Sequence, residues 1–149
     1  WALGMRPFFW DRDGKGHPVD FGSGIARRLP LPELLSQSSV LSLHCPLTDA
    51  TRGLLDRKHL GLLPRGAVVI NTARGGILDE SALLERLHSG TLGGVGLDVY
   101  DGEPQIDPAW LTAPNAVLLP HLGSATVETR EAMAKMLCDG VSEVLRSSP

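Results

Sequence analysis

Four residues in this chain carry side chains suited to anion binding and acid–base work: Arg74, Asp98, Glu103 and His121. Arginine can hold a carboxylate through two parallel hydrogen bonds. A histidine beside a carboxylate is a tuned proton donor and acceptor, because the anion stabilises the imidazolium. Brought together, these groups suit proton and hydride chemistry on a small acid bearing a carbonyl or hydroxyl. Taken singly, each has a plainer reading: Arg74 as a surface arginine and His121 as a capped loop histidine. The combination with Glu103 is what argues for a site.

The elements that would position them alternate between strand and helix. Ala67 to Ile70 are apolar without alternation, as in a strand covered on both faces. Asn71 and Thr72 end it, and Arg74 follows with Gly75 and Gly76 behind it, where the backbone can turn sharply or approach a ligand closely. Asp79 is placed to cap a helix over Glu80 to Ser89, closed by Gly90. Gly93 to Val99 reads as the next strand, with Asp98 at its end and Glu103 beyond, and residues 101–115 read as a loop. Ala116 to Leu119 is the last strand, followed by Pro120 and His121. Upstream, Met5 to Trp10 reads as a strand ended by Asp11, although Pro7 removes a ladder donor. Residues 12–24 read as loop, Pro32 to Ser38 as a short helix and Val40 to His44 as a strand. Asp56 caps a helix through Leu63, stopped by Pro64. From Thr126 to Arg146, apolar residues such as Met133, Met136, Leu137, Val141 and Val144 fall on one helical face. A helix end is read at Leu3 and Gly4.

Strands separated by helix-length connections imply parallel crossovers, hence an α/β fold with a doubly wound parallel sheet. In such a sheet the carboxyl ends of all strands share one edge, where ligands bind. Gly22, Gly24 and Arg27 lie in a run that superficially resembles a dinucleotide fingerprint. No strand precedes it and the third glycine is missing, so a flexible loop is the reading.

Composition excludes several classes. The chain has 149 residues, 42% hydrophobic and 21% charged, with net charge −3. These values suit one globular domain and favour neither nucleic acid nor an anionic membrane surface. No apolar run reaches the length of a membrane span and no signal peptide is visible. The two cysteines, Cys45 and Cys138, lack metal-type spacing and suit a reduced, cytoplasmic protein.

Three ordered segments carry a family resemblance: Val69-Ile-Asn-Thr-Ala-Arg-Gly-Gly-Ile-Leu-Asp-Glu80, Gly94-Val-Gly-Leu-Asp-Val-Tyr-Asp-Gly-Glu-Pro104 and Leu119-Pro-His-Leu-Gly-Ser-Ala-Thr126. They resemble successive signatures of the D-isomer-specific 2-hydroxyacid dehydrogenases, and Ser42 to Thr48 resembles a fourth segment. The run from His121 to Met133 is most similar to the glyoxylate and hydroxypyruvate reductase branch. The resemblance implies a Rossmann-like domain in which Arg74 binds the substrate carboxylate and carbonyl, and His121 is the general acid in reduction. Glu103 would hydrogen-bond His121 and favour its charged form. Asp98 would contact the nicotinamide carboxamide. Cys45, Pro46, Thr51, Thr72, Ala73 and Gly123 would line the cofactor together with Arg74 and His121. Asp11 would accept the adenosine ribose hydroxyls, which favours NAD, while Arg12 beside it keeps NADP as the alternative. Cys45 reads as a small packed residue. The parent would be a homodimer acting on a small 2-keto or 2-hydroxy acid. The other class of reading is an NAD-responsive, co-repressor-like binding protein of the same fold, although no distinctive co-repressor segment is evident.

The resemblance also has gaps. Family members carry a first strand and a glycine-rich turn just before the position of Leu3, and a substrate domain. The sequence therefore reads as a piece of a longer protein, truncated on the N-terminal side. Residues 1–125 would be a partial dinucleotide-binding domain, and 126–149 a connecting helix. Without the pyrophosphate-binding turn, the expectation is an inactive fragment with unpaired strand edges. Robust NADH oxidation with glyoxylate or hydroxypyruvate, or micromolar NADH binding, by the 149-residue chain would overturn that expectation.

Overall fold

A computed structural model describes residues 4–14, 16–20, 22 and 24–147. Among the described residues, seven strands lie in two sets, β1 (Phe8–Phe9), β2 (Val19–Asp20), β3 (Ile25–Arg28), β4 (Val40–Leu43), β5 (Ala67–Asn71), β6 (Leu92–Leu97) and β7 (Ala116–Leu118). Four helices accompany them, α1 (Leu31–Gln37), α2 (Arg57–Gly61), α3 (Glu80–His88) and α4 (Val127–Ser147). The larger sheet has the order β4-β5-β6-β7 and is parallel throughout. The smaller has the order β1-β3-β2, with β1 parallel and β2 antiparallel to β3. This is the α/β architecture expected from the alternation of elements.

Each strand of the larger sheet lies one place across from its predecessor. Right-handed crossovers then bring successive connecting helices to the same face. Accordingly α3 packs on β6, α2 on α3 and α1 on α2. The core under these helices is aliphatic, with Leu35, Leu60, Val69, Ile77 and Leu83 fully buried. β5 is the central ladder strand, and Val69 inside it has no exposed surface. By contrast, α4 buries none of its residues, so its apolar row lies in the open.

The caps fall where the residue types require. The Asp56 side chain accepts the His59 N–H at the start of α2, and the Asp79 side chain accepts the Ala82 N–H at the start of α3. Gly90 takes φ +67° just past α3, the left-handed backbone that stops a helix.

The amino-terminal third departs from expectation. The strand read over Met5 to Trp10 shrinks to two residues, Phe8–Phe9. Within the stretch 12–24, Lys15, Phe21 and Ser23 lie outside the described residues, and Val19–Asp20 pair as a strand. The supposed flexible loop continuing to Arg27 becomes β3 from Ile25 onward. Its polar residues had hidden it: only Ala26 of this strand is buried, so it shows no apolar run. The helix end read at Leu3 and Gly4 begins outside the described residues. Loop 101–115 contains a 3₁₀ turn, Pro108–Thr112, and α2 stops at Gly61, short of Leu63.

Burial separates the positions that hold the fold from those that do not. Leu83→Ala should cost about 2–5 kcal/mol, the range for truncating a fully buried leucine. Met136→Ser on α4, where the side chain is 74% exposed, should stay within about 0.5 kcal/mol. Chemical denaturation of the two variants beside the parent chain checks both.

Candidate active site

The parallel register sets the stage. β5, β6 and β7 run in one direction, with Asn71 opposite Leu97 and Leu97 opposite Leu118. Their carboxyl ends are therefore level, and the segments carrying Arg74, Asp98 and His121 leave the sheet along one edge. The loop after β4 emerges next to them, since Leu43 pairs with Asn71.

Asn71, fully buried, shapes the turn that carries Arg74. Its side-chain N–H donates to the Arg74 carbonyl at 2.8 Å, and its side-chain oxygen accepts the Ala73 N–H at 3.0 Å. The turn is thereby clamped across its mouth, with Thr72 exposed and Ala73 half-buried. The Arg74 guanidinium is exposed and donates to the Ala73 carbonyl at 2.6 Å. The adjoining segment Gly75–Ile77 is joined to the loop after β4 by the Gly53 N–H on the Gly76 carbonyl and the Leu55 N–H on the Ile77 carbonyl. Within that loop Thr51 is buried. Its hydroxyl donates to the Pro46 carbonyl at 2.6 Å and accepts the Thr48 N–H at 2.8 Å. Thr51 thus serves the shape of the loop. Cys45 is half-buried and packs against the core.

His121 and Glu103 meet. The His121 Nδ1 lies 2.7 Å from Glu103 Oε2, with side chains 42% and 32% exposed. The other carboxylate oxygen accepts the Tyr100 N–H at 2.8 Å. Burial opposes ionisation of Glu103, but the hydrogen bonds from His121 and the Tyr100 N–H outweigh it. With the positive charge of Arg74 acting in the same direction, the Glu103 carboxyl is held below its ordinary value. An ionised Glu103 can only accept, so the proton of the contact sits on Nδ1 and Nε2 is left for another partner.

His121 has φ +55°, a left-handed backbone uncommon for a residue with a side chain. The following turn is held from below. Asp98, only 6% exposed, accepts the Leu122 N–H at 2.7 Å on one oxygen and the Gly123 N–H at 3.1 Å on the other. Tyr100 adds a second tie, its hydroxyl donating to the Leu119 carbonyl at 2.9 Å. The sequence reading passed over Tyr100 and read Asn71 only as a strand end. Asn71 did carry a signal, as a polar residue closing an otherwise apolar buried strand.

Asp11 stands apart, just after β1 in the smaller sheet. Arg28 Nε donates to its carboxylate at 2.9 Å, and the Gly16 N–H donates to the other oxygen. The Arg28 bond holds the Asp11 carboxyl below its ordinary value, against burial. Arg12 turns to Asp13 instead.

A parallel α/β sheet with polar groups gathered at its carboxyl edge defines a dinucleotide-binding type of domain. Comparison with known proteins makes this particular. Residues 1–123 match the D-isomer specific 2-hydroxyacid dehydrogenase, NAD binding domain. The chain belongs to that family. It is 42% identical over 121 residues to glyoxylate/hydroxypyruvate reductase B of Serratia proteamaculans (strain 568), covering 80% of this chain and 37% of the relative. It superposes on a glyoxylate reductase from Paecilomyes thermophila with TM-score 0.86 at 38% identity, over 98% of this chain and 44% of that one. An NADPH-dependent glyoxylate/hydroxypyruvate reductase from Sinorhizobium meliloti, solved in complex with NADP and malonate, gives TM-score 0.85 at 32% identity, over 98% and 44%. The chain thus spans less than half the length of each. Among the described residues, no helix is long and apolar enough to cross a membrane, and no group of three or more His, Cys, Asp or Glu could hold a metal ion.

The polar and small residues at the carboxyl edge, and the Asp11 carboxylate, have the chemistry to meet a nicotinamide dinucleotide. Thr72 and Gly123 are exposed and Ala73 is half-buried just past the carboxyl ends of β5 and β7, and the Asp98 carboxylate lies against Gly123. Asp11 keeps lone pairs beyond those used by Arg28 and Gly16, enough to accept hydroxyl donors.

Two outcomes follow. Asp98→Asn replaces one of two acceptor oxygens by a donor facing a backbone N–H. It should destabilise the chain by about 1–3 kcal/mol and speed amide exchange at Leu122 and Gly123. The second concerns acid. A carboxyl with a depressed folded-state pKa stabilises above its unfolded pKa, here near the ordinary 4.5, and loses that contribution as pH falls through the lower folded value. Denaturation followed from about pH 6 to about pH 3 should therefore show a smaller loss of stability for Glu103→Gln than for the parent chain.

Proposed function

We propose that this chain is the cofactor-binding part of a reductase that transfers a hydride between NAD(H) and a small 2-keto or D-2-hydroxy acid, with Arg74, Glu103 and His121 as its acid–base and anion-binding set. The observation that carries this reading is the 2.7 Å contact between His121 Nδ1 and Glu103 on the same sheet edge as an accessible Arg74. The relatives named as glyoxylate and hydroxypyruvate reductases support the substrate class.

The bound nicotinamide would supply or accept the hydride. Arg74 would hold the substrate carboxylate by two parallel N–H bonds, fixing the carbonyl relative to the sheet edge. His121, anchored through Nδ1 by Glu103, would present Nε2 to the substrate oxygen. In reduction it would give that oxygen a proton; in the reverse direction it would take the proton back. Glu103 would keep the ring oriented through Nδ1. Thr72, Ala73, Asp98 and Gly123 would face the nicotinamide end, and Cys45 and Pro46 the neighbouring loop. Thr51 would act through the shape of that loop. Asp11 would accept the ribose hydroxyls, which favours NAD. Its engagement with Arg28 leaves positive charge beside that position, so NADP remains compatible with the site.

Reduction consumes a proton, which His121 would deliver. In the full-length parent, Glu103→Gln takes the charged acceptor away from His121 Nδ1 and should lower the rate of reduction, because the ring loses its anchor. His121→Ala should lower turnover roughly 10²–10⁴-fold. Asp11→Ala should weaken NAD more than NADP in binding titrations. Steady-state assays with glyoxylate, hydroxypyruvate and other 2-keto acids test the proposal. Turnover untouched by His121→Ala would defeat it.

A further inference from the structure

Glu80 has no part in the chemistry proposed above, yet it sits where two loops of the site meet. It is the first residue of α3, six positions after Arg74, and is about half-buried. One of its oxygens accepts the Asp101 N–H at 2.6 Å and the other accepts the Trp110 indole N–H at 3.0 Å. Trp110 is itself buried in the core. Both donors belong to the segment that carries Glu103, and Asp101 directly follows Tyr100, whose N–H binds Glu103. On the other side, Gly75 lies so close to the Tyr100–Asp101 backbone that a β carbon there would collide with it. A single carboxylate therefore bridges the start of the helix behind Arg74 and the loop that supplies the partner of His121.

We propose that Glu80 is a positioning residue of this site: its two hydrogen bonds fasten the 100–110 loop against the Arg74 segment and so fix Glu103 onto His121 Nδ1. This rests on the reading of Arg74, Glu103 and His121 as the working set. Bonds from donors to a charged acceptor are the stronger kind, and a carboxylate alone can serve two donors with two oxygens in this arrangement. Burial pushes the Glu80 carboxyl up, against the lowering effect of the Trp110 and Asp101 bonds.

The test reads geometry, not turnover. With Glu103 in place, neutral His121 carries its proton on Nδ1, and the ring ¹⁵N shifts of the 149-residue chain report that tautomer at a pH where the ring is neutral. Glu103→Ala serves as the reference for loss of the acceptor. Glu80→Ala should turn the predominantly Nδ1–H pattern into a mixture of tautomers and speed exchange of the Asp101 amide roughly tenfold. Glu80→Gln keeps the volume but offers one acceptor oxygen instead of two, so it should give an intermediate pattern, and it carries the test where Glu80→Ala does not fold. Adding Glu80→Ala or Glu80→Gln to Glu103→Ala should change the ¹⁵N pattern no further. A folded Glu80 variant with the parent ¹⁵N pattern would overturn the proposal. So would a further change in the double variant, because Glu80 would then act on His121 by another route. Absence of hydride transfer in the full-length parent would refute the proposed function and leave these spectra as an independent reading.

Discussion

The absence of a side chain at Gly75 is the constraint on which the site depends. The backbone of Gly75 rests on the backbone of Tyr100 and Asp101, and a β carbon would occupy the same space. That contact sets the distance between the loops after β5 and β6. Arg74 precedes the contact by one residue, and Glu103 follows it by two or three. No flexible end of a side chain separates the two segments, so there is nothing to give way. The neighbouring loop after β4 is joined to the same segment by backbone bonds at Gly76 and Ile77. Three strand ends are thus tied by main chain before any acid–base group is considered.

Buried polar side chains then fasten each loop to its own strand or neighbour. Asn71 closes the Arg74 turn, Asp98 holds the turn after His121, and the Tyr100 hydroxyl reaches across to Leu119. Each uses the group its position demands: an amide where a donor and an acceptor are both needed, a carboxylate where two N–H groups converge. The left-handed backbone of His121 is strained for a residue with a β carbon, and it persists where surrounding bonds over-determine it. Arg74, Glu103 and His121, the groups proposed to act, are by contrast at least partly exposed, as groups that meet a ligand must be.

What could be read in the sequence follows this division. The larger sheet was legible because β5 and β6 are apolar runs ended by polar residues and separated by a capped helix. Arg74, Glu103 and His121 were legible because they follow strands that must be parallel. The Glu103–His121 contact was anticipated, and the structure brings the two together. The smaller sheet was not legible. Two-residue strands carry no periodicity, and β3 is half polar with one buried residue. The anchoring tasks of Asp98 and Thr51 were also hidden. Each satisfies backbone groups, distant or local, whose orientation only the folded chain defines. The expected role of Asp11 as acceptor of ribose hydroxyls was legible from its place after a strand, but its bond to Arg28, seventeen residues away, was not.

The division into two sheets has a consequence for how firmly the parts of the site are held. Among the described residues, backbone ladders join β4 to β7 but do not reach β1, and Phe8 and Trp10 pack the smaller set against the core. Side-chain packing can loosen without breaking a ladder, so in the 149-residue chain the smaller set should open at a lower free energy than the ladder. Asp11 lies in one and His121 in the other. A dinucleotide reaching both would span the seam and join the two sets, so its binding energy would include the work of holding them in register. Amide protection in the smaller set would then rise with cofactor occupancy far more than protection in β5 and β6, which the ladder already secures.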